Sequence, residues 1–213
     1  MTQFKHLGHA PVVDVSSWLA TTAVVCGDVR IGADCAVCHG AVLDAGDGTI
    51  EIGRGCVVME NVVLKASRRA PLRVGNHVLV GPRAYLSGCT VEDEVFLATG
   101  CTVFNLATIG RRAEVRINAV VHLRTRIVPG ATVPIGWVAV GDPAEILPPD
   151  RHDRIWEIQE ALDFPRVVFG LARPSAGETI MPELTRRYAA ALRRHYEDRP
   201  LPEPAQRWDR THT

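Results

Sequence analysis

The sequence carries no net charge, since 24 basic residues balance 24 acidic ones, and nothing in that balance points to nucleic acid or an anionic membrane as a partner. No run approaches the roughly 20 apolar residues that a spanning helix needs. The opening M-T-Q-F-K-H-L-G-H-A-P lacks the apolar core of a signal peptide, which makes a cytoplasmic location the expectation. The six cysteines include no second close pair to complete a structural zinc site, and 213 residues without an export signal do not suit a disulfide framework. The string Cys35-Ala-Val-Cys38-His39 has the spacing of c-type haem attachment, but it lies inside two regular repeats, which excludes haem.

What the chain does have is a repeat. Val25, Ile31, Val37 and Leu43 stand six apart, followed by Ile52, Val58 and Leu64, then Val74, Val80 and Leu86. After Val91 the series resumes through Leu97, Val103, Ile109, Val115, Val121, Ile127, Val133 and Ala139. Four places after most of these sits a small residue, among them Cys35, Ala41, Cys56, Ala84, Cys101, Ala107, Ala113 and Ala119. A period of six fits neither an amphipathic helix nor an alternating strand, and it predicts a hexapeptide β-helix. Each hexad is one short strand and one turn. Its aliphatic residue points inward and its small residue lies under the bend, so Cys35, Cys56 and Cys101 are expected to be inert core thiols. Three hexads make one triangular coil, and coils stack at the strand spacing of roughly 4.8 Å.

Residues 11–24 read as a lead-in that covers the open end of the first coil, with Trp18 as capping aromatic. Two insertions, Ala45 to Ile50 and Ala66 to Pro71, break the period and are the natural carriers of function on a regular scaffold. Beyond Gly141-Asp142-Pro143-Ala144 the repeat stops. A helix is expected over 150–163, with Ile155, Ile158, Ala161 and Leu162 on one face. A connector over 165–180 then leads to a second helix, Glu183 to Tyr196, with an apolar stripe of Leu184, Tyr188, Ala191, Leu192 and Tyr196. From Arg199 the chain reads as a flexible tail. The expected organisation is a repeat domain at 1–146 and a C-terminal helical extension with flexible tail at 147–213.

Three stretches, A-V-V-C-G-D-V-R-I-G (23–32), M-E-N-V-V-L-K (59–65) and V-G-P-R-A-Y-L-S-G-C-T-V (80–91), together with the closing V-A-V-G-D-P-A (138–144), resemble the γ-class carbonic anhydrase group of hexapeptide-repeat proteins. That resemblance implies an all-β solenoid, a left-handed parallel β-helix of about six coils followed by C-terminal α-helices, assembled as a homotrimer. In that family three histidines bind zinc across a subunit boundary, and the corresponding positions here are Lys65, Pro82 and Ser87. Asp44 aligns with the arginine of the family's R-G-D motif, and Met59 with the glutamine before its D-N pair. None of Lys65, Pro82 and Ser87 is a usual zinc ligand, which argues against carbon dioxide hydration.

In place of the metal, Asp44, Lys65 and Ser87 share one column on successive coils and form the candidate catalytic set. Met59, Glu60, Tyr85, Phe104, Asn105 and His122 are candidate substrate-binding residues on the same polar wall. The bland alternative is a salt-bridge ladder that seals the trimer interface. A displaced metal site at His39, Asp44 and Glu60 would repeat the family's five-residue ligand spacing, though three polar residues on a corner are more often simply solvated. His77 is expected to lie at the surface. The first functional expectation is a small-molecule enzyme that uses the trimer-interface pocket without metal or other cofactor. The alternatives are an acyltransferase binding acyl-CoA, with His39, His77 or His122 as base, and a non-catalytic trimeric binding or scaffold protein.

Overall fold

In the computed structural model, which describes residues 2–202, the hexads form two parallel sheets of seven strands and one sheet of ten. Together they make a left-handed parallel β-helix of about eight turns. Neighbouring coils pair in register, and each inward aliphatic residue stacks on its equivalent. Val25, Leu43, Leu64, Leu86, Val103, Val121 and Ala139 form one such pile in the ten-stranded sheet, and every one is fully buried. Strands this short hold only because each is hydrogen-bonded on both sides and closes a continuous apolar column.

The turns explain the small residue in each hexad. The residue just before it takes a left-handed backbone conformation, as Asp34 does before Cys35, Asn61 before Val62 and Asn118 before Ala119. The chain bends sharply there, and the next side chain is driven inward. Cys35 and Cys56 fill this slot as expected, each donating its thiol to a carbonyl one coil on, Gly53 at 3.0 Å and Gly75 at 3.1 Å. Burial pushes the Cys56 thiol up to about 11 and the Cys101 thiol up to about 12, which keeps both protonated.

The solenoid is longer than six coils because the lead-in is itself a coil. Val12–Val13 and Trp18–Leu19 pair in parallel with Val29–Ile31 and Ala36–Val37. Trp18 therefore lies exposed on an outer face, edge-on to His39, and does not cap the end. The end is closed instead by Thr2–Lys5, parallel to Val24–Cys26, and by Arg199–Pro200, antiparallel to Thr2–Lys5. At the other end Glu145–Leu147 turns back antiparallel on Val138–Val140. Both ends of the ten-stranded sheet thus finish in a reversed strand, which covers an edge that would otherwise pair with another chain.

Helix α1 (His152–Ala161) packs Ile155 against this end, and Arg154 reaches back to Glu145 at 3.0 Å. Ala161, assigned to the apolar face from spacing, is exposed. The connector contains a π-helical turn, Pro165–Phe169, that was not foreseen. Helix α2 (Met181–Leu192) runs on into a 3-10 turn, Arg193–Glu197, and has no buried residue. Its apolar stripe faces a cavity and solvent instead of a packed surface. Arg199 and Pro200, read as the start of the flexible tail, form a strand, and the rest of that tail (203–213) lies outside the described residues. No helix among the described residues is long and apolar enough to cross a membrane.

Candidate functional site

The outward positions of the ten-stranded sheet build the site. Cys26, Asp44, Lys65 and Ser87 are Cα partners on four successive coils. Phe104 and His122, one residue beyond the paired Val103 and Val121, continue the column. Lys65 Nζ lies 3.4 Å from Asp44 Oδ2, with side chains 30% and 15% exposed. The other carboxylate oxygen of Asp44 accepts a 3.0 Å bond from the Gly46 amide, so the first insertion fixes its orientation. Burial works against the Lys65 ammonium, but Tyr188, Asp44 and Tyr85 outweigh it and hold the proton above the ordinary lysine range. Lys65 is therefore a cation and hydrogen-bond donor at neutral pH, and no base.

Above this column is a cavity of about 840 Å³. Its floor includes Asp44, Lys65, Tyr85, Ser87, Phe104 and Asn105, and its cover is Phe164 and Phe169 from the π-turn with Leu184 and Tyr188 from α2. Most of the enclosure is apolar. The sheet supplies Asp44, Lys65 and Ser87, while Asp47 comes from the first insertion and Arg187, Arg194 and His195 from α2 and the 3-10 turn, neither of which has a buried residue.

Of the residues named from the sequence, the structure brings Asp44, Lys65, Ser87, Tyr85, Phe104 and Asn105 to this one cavity. His122 stands behind it, its ring tilted against Phe104 and Phe164 at ring-centroid distances of 5.8 and 6.2 Å. Burial lowers its pKa, and its Nδ1 is enclosed with no hydrogen-bond partner. Met59 and Glu60 are not on the cavity wall. They follow the strand Val57–Val58 and lie at the opposite corner of the sheet from Lys65. The single polar wall expected from the sequence is thus two separate corners.

The same geometry separates the displaced metal site within one chain. His39 lies in the turn before the strand Val42–Asp44 and Asp44 at the strand's far end, so within one chain the two stand at opposite corners of the sheet. His39 is exposed and bonds Thr22 Oγ1 at 2.8 Å instead. His77 is also exposed, in a left-handed turn.

One cluster went unnoticed in the sequence. His6, Cys26, His195 and Asp198 each offer a ligand atom within 4.8 Å of the others, and both histidines also line the cavity. No spacing could have revealed it, because its members come from the two ends of the chain. Only the position of Cys26 in the Asp44 column was a usable signal.

The repeat geometry and the cavity can now be set beside known proteins. The family described as the hexapeptide repeat of succinyl-transferase matches residues 71–105. Over 144 residues the chain is 33% identical to gamma carbonic anhydrase 1, mitochondrial, of Arabidopsis thaliana, covering 65% of this chain and 50% of that protein. The chain carries a hexapeptide repeat and resembles the γ-class carbonic anhydrases over about two thirds of its length. Gamma carbonic anhydrase 2, mitochondrial, of the same plant is 31% identical over the same length and coverage. A solved hexapeptide transferase family protein from Anaplasma phagocytophilum is similar over 73% of this chain and 88% of that one, with 25% identity and a TM-score of 0.48. The chain spans about half the length of the curated relatives it matches.

The resemblance to γ-class carbonic anhydrases implies zinc, and the residues at the positions which that resemblance assigns to its ligands do not fit the ion. Lys65 is protonated and ion-paired with Asp44, so it has no lone pair to give. Pro82 has no side-chain donor, and Ser87 offers only a neutral hydroxyl.

Proposed function

We propose that the cavity binds a small, largely apolar molecule with a carbonyl or carboxylate end, and that Asp44, Lys65 and Ser87 bind or polarise that end. The observation that carries this reading is a protonated lysine fixed by a carboxylate in the wall of a mostly apolar cavity, whose other charged lining residues are Asp47, Arg187 and Arg194. A cation held there in advance stabilises developing negative charge on an oxygen without reorganisation. Ser87, the next residue of the column, supplies a second donor to the same atom. On this reading the protein is a metal-independent small-molecule enzyme and not a carbon dioxide hydratase.

The acyltransferase reading draws less support, because His39 and His77 are exposed at turns and His122 lies behind Phe104. The scaffold reading leaves the enclosed ion pair without a use. We take the working form to be a cytoplasmic homotrimer of residues 1–146, with 147–213 as its extension.

The test is a thermal-shift screen of aliphatic and aromatic carboxylates, their esters and acyl-CoAs, since a ligand bound to the native state raises its stability. Carboxylates or esters are expected to stabilise the wild type and not Lys65→Ala. Stabilisation that is equal in the two proteins would overturn the reading.

A further inference from the structure

The chain closes on itself at one end of the cavity, and the residues that meet there have the chemistry of a metal site. His6 follows the first strand, Cys26 ends the strand Val24–Cys26, and His195 and Asp198 come from the 3-10 turn and the residue after it. Asp198 lies between the two imidazoles. Its Oδ1 is 2.5 Å from His6 Nδ1 and its Oδ2 is 2.8 Å from His195 Nδ1, while the Cys26 thiol donates to Oδ2 at 3.5 Å. The two rings stack with centroids 4.3 Å apart and 18° between planes. His6 is 4% and Cys26 5% exposed, so two of the four groups are withdrawn from water.

We propose that His6, Cys26, His195 and Asp198 bind one divalent transition metal of the zinc class. The donor set is two imidazole nitrogens, one sulfur and one carboxylate oxygen, which suits zinc or cobalt(II) and excludes magnesium and calcium as hard, all-oxygen cations. The four atoms already lie within 4.8 Å of one another. A tetrahedral ion with bonds of about 2.0–2.3 Å sets its ligand atoms roughly 3.3–3.8 Å apart, so small side-chain rotations suffice. A thiolate and a carboxylate cancel the charge of the cation. Binding releases the Cys26 proton. With four protein ligands the site is closed and acts as a structural clasp, tying the segment after α2 to the first strand. It lies at one end of the cavity that Lys65 and Ser87 line but uses neither of them, and it stands whether or not the cavity binds the proposed carbonyl compounds.

The experiment is titration of the full-length protein with cobalt(II), followed by absorption, then competition with zinc. The expected result is one ion per chain with tetrahedral visible bands and a thiolate-to-metal charge-transfer band, all displaced by zinc. Cys26→Ser should abolish the charge-transfer band, and His195→Gln should weaken binding at least about tenfold. Circular dichroism establishes that each variant is folded, and His152→Gln, an exposed histidine elsewhere, should bind as the wild type does. A second readout is proteolysis of the segment between α1 and α2, which zinc should slow in the wild type and not in His195→Gln. Failure to bind cobalt(II), binding without the thiolate band, or equal binding by folded Cys26→Ser and His195→Gln would each overturn the proposal.

Discussion

Lys65 and Asp44 are paired residues on adjacent coils, and their side chains meet at 3.4 Å in the wall of the cavity. An ion pair that keeps contact with water contributes little to folding, typically about 0–1 kcal/mol. Lys65→Ala should therefore leave the melting temperature almost unchanged while removing ligand binding. If the pair only seals an interface, the same change should loosen the assembly, because an unpaired buried carboxylate costs roughly 3–5 kcal/mol. Ser87→Ala separates the readings further, since a hydroxyl that merely fills space is nearly neutral to lose. Ligand binding that survives both substitutions sinks the pocket.

The environment of Lys65 also predicts how stability responds to alkali. Burial opposes its charge, yet Tyr188, Asp44 and Tyr85 together raise its folded-state pKa above the ordinary value of about 10.4. A group with a raised folded pKa contributes stability that is complete below the unfolded pKa and is lost as pH rises through the folded one. The difference in melting temperature between wild type and Lys65→Met should thus be constant through neutral pH and shrink above about pH 10.4. A difference that grows with alkali would show that burial, and not Tyr188 and Asp44, dominates at this site.

Leu64 is fully buried between Leu43 and Leu86 on the coils either side. Leu64→Ala should cost about 2–5 kcal/mol, because short strands stacked in register have little freedom to collapse into the space. Urea denaturation measures it. A cost below about 1 kcal/mol would mean that the column repacks, contrary to the usual behaviour of large-to-small core changes.

The hexad was legible because one physical requirement, an inward aliphatic residue and a small residue under each bend, recurs at every turn. Leu19 and Val13 already stand six and twelve places before Val25, so the first coil was present in the pattern. It was obscured by the polar run Asp14 to Ser17, whose side chains cap turns, as Ser17 does by donating to the Gly32 carbonyl at 2.7 Å. The column of Asp44, Lys65 and Ser87 followed from the repeat, since stacking fixes which residues are neighbours. Which corner each residue faces did not follow from the same spacing, and within one chain Met59, Glu60 and His39 stand at the other corner. The cover of the cavity and the His6–Asp198 contact, 192 residues apart in sequence, depend on how an irregular C-terminal segment returns to the first strand. No periodicity encodes that.

Gly88 links the site to the second insertion. It has φ of +51°, and a Cβ placed there would lie 2.4 Å from the Ala70 Cβ and 2.6 Å from its carbonyl oxygen. Gly88→Ala should displace the 66–71 loop and destabilise the fold by about 1–3 kcal/mol. Ala66 and Ser67 line the cavity beside Ser87, so ligand affinity should fall with stability. Wild-type affinity in a destabilised Gly88→Ala protein would show that the loop takes no part in binding.

The positions equivalent to the family's zinc ligands give a test of activity and assembly together. Lys65 and Ser87 are partners on adjacent strands. Pro82 lies in the turn before the strand Tyr85–Ser87, at the opposite corner of the sheet from Ser87. Three ligands at these positions can meet only if a neighbouring subunit brings its own residue 82 to the 65 and 87 pair. Wild-type protein supplied with zinc should show no carbon dioxide hydration above background, because none of the three residues present can hold the ion that acidifies water. The variant carrying Lys65→His, Pro82→His and Ser87→His should take up one further zinc per subunit, and only in the fractions that light scattering identifies as trimers. Hydration by the wild type would overturn the assignment of Lys65 as an ion-paired cation. Equal zinc uptake by a monomeric triple variant would overturn the shared-site geometry.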